Sequence, residues 1–229
     1  MQQRRLTILQ SIVDEHIATG EPVGSKNLSD FLGFSSATIR SEMAKLESEG
    51  YIFQPHTSAG RVPTQKGYRA YVNLVIPSSE TLNTEYIRQF AESRGIEKIL
   101  KIISVISGGN TAFCVTPDAL FTTGLAATLS QPDFTEQEKT IRFAQLIDNL
   151  SDFVSSIEFD QGAMLKTYIG TENPYKFAQD FAAIVAYFPF SAKPCVLGVL
   201  GPMRIPYKKI IPYLMSLGEA FKQQRLLEQ

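Results

Sequence analysis

Within the first 76 residues, the spacing of apolar side chains changes from a helical pattern to that of short strands, which few folds accommodate. Apolar side chains repeat about every 3.6 residues over 4–19, and glycines close three successive helical patterns. The pattern then becomes that of two very short strands, 51–54 and 61–63, joined by a polar loop. Three short helices followed by a β-hairpin predict a winged helix-turn-helix domain over residues 1–76. The closing glycines are Gly20, Gly33 and Gly50.

Serines mark the starts of the second and third helices. We expect Ser25 to cap the second helix, whose apolar residues Leu28 and Phe31 should face inward. Ser35 or Ser36 is expected to cap the third helix, which runs to about residue 49.

The third helix predicts a surface that could read DNA. Ile39, Met43 and Leu46 share one face of this helix and are expected in the core. The opposite face is small at its centre and basic or hydroxylic at its edges, and it would fit a major groove about 12 Å wide. A solvated helix face has the same composition, but the preceding short helix and turn favour the DNA-reading interpretation. This outer face consists of Ala37, Thr38, Arg40, Ser41, Ala44 and Lys45.

The polar loop 56–61 provides a second candidate contact. Its small and hydroxylic residues could approach a phosphate backbone or minor groove closely, and Arg61 would supply charge. An ordinary hairpin turn would look the same, so the loop indicates a wing only together with the third helix. The candidate DNA-binding residues are Ser25, Lys26, Ser36, Ala37, Thr38, Arg40, Ser41, Lys45, His56, Thr57, Ser58 and Arg61.

Net charge does not decide whether the chain binds nucleic acid. The formal charge is −1, and residues 1–73 carry eight Lys/Arg against seven Asp/Glu. Residues 51–73, however, contain three bases and no acid. Because phosphate contacts depend on where charges lie, a small local basic surface is sufficient.

Behind the first domain, strands and helices alternate irregularly. Residues 77–108 are predicted to form a linker and a connecting helix, with a break at Gly95. Residues 109–229 predict a second α+β domain with a largely antiparallel sheet. We expect strands over 112–116, 120–126, 164–169, 181–188 and 195–200, and helices over 134–153 and 207–227.

Catalytic and metal-binding patterns are missing from the sequence. It has two histidines and no clustered metal ligands, so we expect no enzyme activity, no catalytic or metal site and no cofactor. Cys114 and Cys195 lie far apart in the sequence, which argues against a disulfide scaffold and favours a reducing cytoplasm. No apolar run reaches about 18 residues, so no membrane association is expected. His16 is expected at a helix surface, and three acids near 135 are interpreted as helix caps. These acids are Asp133, Glu136 and Glu138.

Several longer segments resemble the HrcA family of heat-inducible transcription repressors. The most specific segments are 20–26 (GEPVGSK), 35–40 (SSATIR) and 54–64 (QPHTSAGRVPT). Shorter elements in the second half are also similar to family signatures. They are Gln131-Pro132-Asp133-Phe134, Ile169-Gly170 with Glu172-Asn173, and Gly201-Pro202-Met203-Arg204.

The resemblance implies a winged helix joined to a GAF-like α+β domain, with a further inserted dimerisation segment. This chain is shorter than family members, between the linker and residue 131 and again between 134 and 163. The implied function is repression of chaperone operons by a homodimer on an inverted-repeat operator in double-stranded DNA, kept active by the GroE chaperonin.

Two alternatives stay open from the sequence. The chain could be a winged-helix regulator that responds to a small molecule bound by its C-terminal domain. It could also be a protein-interaction module, which would bind no operator at any salt concentration.

Overall fold

Each of the two compact units of this α+β chain contains buried apolar side chains. The computed structural model describes residues 3–78, 84–159, 164–190 and 193–227. Main-chain contacts divide it into two units, Met1–Pro77 and Ser78–Gln229. In the described ranges, no helix combines the length and hydrophobicity needed to cross a bilayer. The functional division into domains predicted above stays a prediction.

Helices dominate the first unit, and its two strands contain only two residues each. The strands pair antiparallel, with Ile52 opposite Pro63 and Phe53 opposite Val62. In chain order the elements are α1 (Gln3–Thr19), α2 (Ser25–Leu32), α3 (Ser36–Ser48), β1 (Ile52–Phe53), β2 (Val62–Pro63) and α4 (Gln65–Val75).

Side-chain caps fix where the helices of this unit begin. Ser35 precedes α3, and its Oγ accepts a hydrogen bond from the backbone N–H of Thr38 at 3.1 Å. The prediction for α2 was wrong, because Gly24 occupies the cap position without a side-chain bond and Ser25 is the first helical residue. The hydroxyl of Ser25 lies instead 3.0 Å from that of Ser36.

Two further expectations about side-chain burial were wrong. Phe31 is 83% exposed, because α2 is short and buries only a narrow stripe around Leu28. Phe31 lies about 60° around the helix from Leu28, outside that stripe. His16, expected at the surface, is buried, and its Nδ1 lies 2.7 Å from the Tyr68 hydroxyl. That hydrogen bond between α1 and α4 satisfies the polar ring in the core.

A five-stranded antiparallel sheet organises the second unit. The strand order is β4-β3-β7-β6-β5, which confirms the expected mixed α+β character. In chain order the elements are α5 (Thr84–Ile106), β3 (Thr111–Val115), β4 (Leu120–Thr123), α6 (Leu125–Leu129), α7 (Gln137–Asp148), α8 (Leu150–Ser155), β5 (Leu165–Ile169), β6 (Ala182–Phe190), β7 (Lys193–Gly201) and α9 (Tyr207–Leu227).

Helices cover both faces of this sheet. On one face, aromatic residues of α7 and α8 pack against inward-facing residues of β3, β6 and β7. Helix α9 packs against β6 on the other side, where the Cβ of any residue replacing Gly218 would lie 2.8 Å from the Phe188 ring. Because strand residues alternate between faces, the two layers of helices bury both sets of strand side chains.

Two predicted elements are broken in the structure. The single helix expected over 134–153 is interrupted at Asn149, whose ψ of 32° separates α7 from α8. The strand expected over 120–126 ends at Thr123, because Gly124 adopts a φ of 90° at the cap position before α6. The Cβ of any residue replacing Gly124 would also overlap Ser104 Oγ, so both conformation and space require glycine there.

Helix α5 belongs to the second core. It kinks at Gly95, where φ is 70°, as the sequence predicts. Beyond the kink, Ile99, Leu100 and Ile103 are buried, and the helix contacts β3, β4 and α9. The predicted linker residues 79–83 lie outside the described residues.

Segments that resemble family signatures meet in a polar network of the second unit. Asp133 is not simply a helix cap, because Arg204 binds its carboxylate at 2.6 Å. The same guanidinium donates to Gln131, whose amide donates to Asn110 at 3.0 Å. A side chain at Gly201 would overlap Asn110. These signatures therefore join the end of β7 to the residue that precedes β3.

The other two acids that the sequence suggested as helix caps lie near the start of α7. Glu138 forms an ion pair with Arg142 in the next turn, and Glu136 precedes α7 without a side-chain cap hydrogen bond.

The two cysteines, distant in sequence, are neighbours in the sheet. Cys114 lies opposite Leu197 in the pairing of β3 with β7, so Cys195 occupies the same face one diagonal step away. Both are buried free thiols. The hydrogen bond with Cys195, together with burial, raises the pKa of the Cys114 thiol far above its ordinary value.

We expect both thiols to resist alkylation while the second unit is folded, because the thiolate is the reactive form. Iodoacetamide at mildly alkaline pH should label native protein at least about an order of magnitude more slowly than protein in guanidinium chloride. Mass spectrometry of the labelled peptides provides the measurement. Rapid labelling of Cys114 in the native protein would contradict this packing.

Candidate nucleic-acid interface

The buried side of α3 anchors it in the first unit. Ile39, Met43 and Leu46 are buried, as the helical period predicts. Glu42 is also buried, which the sequence did not reveal. A carboxylate can occupy this position because Arg5 donates to it at 3.0 Å and Lys45 at 3.1 Å.

The opposite side of α3 is open to solvent. Ala37, Arg40, Ser41, Ala44 and Lys45 are exposed, whereas Thr38 and Ser36 are half-buried.

Hydrogen bonds at the start of α3 hold three candidate hydroxyls. The Thr38 hydroxyl lies 2.9 Å from Ser35 Oγ. Ser25 and Ser36 bond to each other and thereby connect the first turns of α2 and α3. These hydroxyls are therefore fixed at one end of the exposed face, and each has a partner within the chain.

Arg40 and Lys26 are the candidate cations that carry no carboxylate partner in the described part of the chain. Arg40 Nε lies 3.4 Å from the Ser36 carbonyl oxygen, so its guanidinium lies along the preceding turn of α3. Lys26 is exposed near the start of α2. Both remain available to an external anion.

The other candidate cations are held by acids of α3. Arg61 pairs with Glu47 at 3.0 Å and is only partly exposed. Lys45 pairs with the buried Glu42 but keeps half of its side-chain surface exposed. Sequence reasoning missed both partners, because neither distant pairs nor helix-face neighbours are visible in a local charge count.

The loop between β1 and β2 presents its tip to solvent. His56, Thr57 and Ser58 are exposed, and Ser58 adopts a φ of 87° that is unusual for a residue with a side chain. A turn hydrogen bond from the Ala59 N–H to the His56 carbonyl closes the tip at 3.0 Å, and Gln54 donates to the Ala59 carbonyl.

Main-chain hydrogen bonds anchor the base of this loop. Val23, in the turn between α1 and α2, exchanges two bonds of 2.9 Å with Arg61. Gly60 makes this approach possible, since a Cβ there would lie 2.5 Å from the Val23 carbonyl carbon. The α1–α2 turn, α3 and the hairpin are thus locked into one surface.

Metal chemistry receives no support from side-chain clustering. Within the described residues, no three His, Cys, Asp or Glu side chains gather closely enough to hold a metal ion.

Sequence comparison identifies the family. The family described as "HrcA protein C terminal domain" matches residues 74–211, more than half of the chain. The chain belongs to the HrcA family. The resemblance stated from the sequence is therefore confirmed.

Relatives of this HrcA-family chain are named heat-inducible transcription repressors. The protein from Clostridium acetobutylicum is 26% identical and is covered over 95% of both chains. Its alignment extends over 329 positions whereas this chain has 229 residues, so the relative contains segments that this chain lacks. Family membership assigns the chain the role of a transcription repressor.

Other HrcA relatives match more strongly over shorter segments. The Acetivibrio thermocellus protein is 46% identical over 110 residues, which is 47% of this chain and 31% of that protein. The Nocardioides protein is 52% identical over 101 residues, which is 43% of this chain and 28% of the relative. In both cases, the match spans less than a third of the relative's length.

One solved structure shares the fold of this HrcA-family chain. It is a crystal structure of a hypothetical protein at 2.2 Å resolution, 19% identical, with a TM-score of 0.71. The superposition covers 97% of this chain and 98% of the other.

The buried Glu42 makes the stability of the first unit depend on pH. Hydrogen bonds from Arg5 and then Lys45 lower the pKa of this carboxyl below 4.5. Because the folded pKa is depressed, the stabilisation is present above the unfolded value of 4.5 and disappears as pH falls through the lower folded value. We expect Glu42→Gln to cost about 1–3 kcal/mol at neutral pH and to flatten the stability curve below 4.5.

Urea denaturation followed by circular dichroism at a series of pH values measures this effect. Glu21→Gln, which alters an exposed acid of the α1–α2 turn, is the matched control and should change stability by less than about 0.5 kcal/mol. Parallel curves for Glu42→Gln and the wild type below 4.5 would show that Glu42 is not the linked group.

Proposed function

We propose that the first unit is a winged helix-turn-helix DNA reader with α3 as its recognition helix. The observation that carries this proposal is the exposed face of α3, which has small residues at its centre and Arg40 at its edge. Arg40 pairs with no carboxylate among the described residues. A guanidinium of this kind can donate two hydrogen bonds to guanine O6 and N7 in the major groove. The half-buried Ser36 and Thr38 would meet the groove at the start of the helix.

The frame around α3 supports the proposal. The Ser25–Ser36 hydrogen bond joins the first turns of α2 and α3, the arrangement needed to present a recognition helix while α2 faces the backbone. Lys26, exposed in the first turn of α2, would then contact a phosphate. Lys45 would do so only in competition with Glu42.

The hairpin is proposed as the wing. Its tip, His56–Thr57–Ser58, is exposed and small enough to lie against a phosphate backbone or in a minor groove. The charge of Arg61 alone suggests a contact with a phosphate, but its hydrogen bonds support a different role, that of positioning the wing. Its main chain bonds Val23 and its side chain bonds Glu47, so it positions the wing, and a phosphate would compete with Glu47.

We further propose that the repressor binds an inverted-repeat operator of chaperone genes as a homodimer. An inverted repeat requires two readers related by a two-fold axis, so two copies of the chain must associate. The second unit is proposed as a GAF-like domain that holds the copies together and receives the signal. Family resemblance points to the GroE chaperonin as the partner that keeps the repressor active.

A fluorescence-anisotropy titration with an inverted-repeat chaperone promoter fragment tests this function. We expect specific binding that weakens with salt and tightens when GroE chaperonin is added. A random duplex of the same length is the control. Equal affinity for both duplexes at every salt concentration would overturn the proposal, and a response to a metabolite panel but not to chaperonin would favour a ligand-responsive regulator.

Arg40 provides the residue-level prediction. We expect Arg40→Ala to cost about 1–3 kcal/mol on the cognate operator, because a bidentate contact to a base would be lost. Arg40→Lys keeps the charge but not the planar fork, so it should lose nearly as much on the operator and little on random DNA. The measurement is anisotropy on both duplexes.

Lys176→Ala, which removes an exposed cation of the second unit, is the matched control and should bind like the wild type. If Arg40→Ala weakens binding equally on cognate and random duplexes, Arg40 contacts the backbone instead of a base.

A further inference from the structure

Strand β4 forms one edge of the five-stranded sheet, and no other strand of the described residues pairs with its outer side. Thr116 donates a turn hydrogen bond to the Ala119 carbonyl oxygen, and beyond this turn Cys114 pairs with Phe121 and Ala112 with Thr123. In an antiparallel ladder, the residues between such pairs direct their N–H and C=O groups to the other side. The main-chain groups of Leu120 and Thr122 therefore point outward.

The two edges of the sheet differ in how they are protected. An exposed edge normally carries a charge, a proline or a covering segment that prevents pairing with another chain. Strand β5, at the far edge, has Lys166, whose ammonium binds the Glu158 carbonyl oxygen. Strand β4 reads Leu-Phe-Thr-Thr, with no charge or proline, and its Leu120 is 43% exposed. Its residue types are those that favour β-pairing.

A cavity of about 380 Å³ opens beside this edge, between β4 and α5. Glu97 and Lys101 of α5 line it together with the apolar Leu100 and the four residues of β4. It therefore presents one acid and one base beside a mixture of apolar and hydroxyl-bearing side chains. Such a surface complements itself, because a two-fold axis can bring the acid of one copy towards the base of the other.

We propose that the β4 edge is the surface through which a second copy of this chain associates, with β4 of one copy antiparallel to β4 of its partner. The inference rests on the proposed function in one respect, since an inverted-repeat operator needs two linked readers. It names the surface that links them in a chain lacking segments of its longer relative.

Symmetry restricts the register of this pairing. Outward main-chain groups must meet outward groups, and the symmetric register that engages both outward residues of β4 pairs Leu120 with Thr122 of the partner subunit and Thr122 with Leu120 of the partner subunit. Phe121 then lies at the two-fold axis opposite its own copy, as a closely spaced aromatic pair. This register uses the whole central part of β4 and joins the two sheets into one of ten strands.

The test removes the outward N–H without disturbing the fold. Thr122→Pro deletes a donor that the β3–β4 ladder does not use, and proline is tolerated on an outward-facing edge position. Leu120→Lys adds the kind of charge that protects the β5 edge. Thr122→Val, which keeps the N–H, is the matched control. Circular dichroism melts establish that each variant is folded.

Sedimentation velocity and operator binding are then measured on the full chain. We expect a wild-type dimer, the same dimer for Thr122→Val, and a dimer dissociation constant at least about tenfold higher for Thr122→Pro and Leu120→Lys. The two dissociating variants should bind a half-site duplex like the wild type but lose their advantage on the full inverted repeat.

The possible failures are distinguishable. A monomeric wild type, or a dimer that survives both Thr122→Pro and Leu120→Lys, would overturn the β4 interface while leaving the DNA-binding proposal intact. Dissociation by both variants in a protein that binds no operator would support the interface and overturn the proposed function.

Discussion

Two main-chain hydrogen bonds between Val23 and Arg61 tie together the parts of the first unit that carry its candidate interface. They attach the turn after α1 to the base of the hairpin, and the hairpin follows directly from α3. Without them, a pair of two-residue strands would be too short to hold an orientation, since isolated hairpins are marginal in water. The close approach excludes a side chain at Gly60. The segment 54–64, which is among those that resemble the HrcA family most specifically, therefore contains a glycine, Gly60, that the backbone geometry requires.

Electrostatics in the first unit are arranged around acids of α3. Glu42 and Glu47 bind cations from other segments, and both lie on the helix that presents the candidate reading face. Such pairs connect α1 and the hairpin to α3, and they leave Arg40 and Lys26 as the candidate DNA-binding cations without a carboxylate partner among the described residues. The numbers of basic and acidic residues in 1–73 are nearly equal, but the basic residues have two different roles. Most bases hold the fold, and a few remain available for an external anion.

In the second unit, the segments that resemble family signatures contribute to a network of hydrogen bonds that stabilises the fold. Arg204, Asp133, Gln131 and Asn110 form a chain of hydrogen bonds that fastens β7 to the segment entering β3. Networks of this kind specify one arrangement of a core because each buried polar group must find its partner. The sheet held in this way ends at β4, whose outward main-chain groups are left for another chain to satisfy. A domain whose sheet has one unprotected edge is well suited to connect two copies.

Local physics allowed much of this protein to be predicted from sequence. Helical period placed Ile39, Met43 and Leu46 in the core, glycines ended the helices, and residue alternation indicated an antiparallel α+β domain, because these signals depend only on near neighbours. Tertiary structure decided what depends on distant residues. It exposed Phe31, buried His16 against α4, and brought the two cysteines together. It also paired candidate cations with acids, because burial and ion pairing are settled by which surfaces meet in space, and no local pattern in the chain records that.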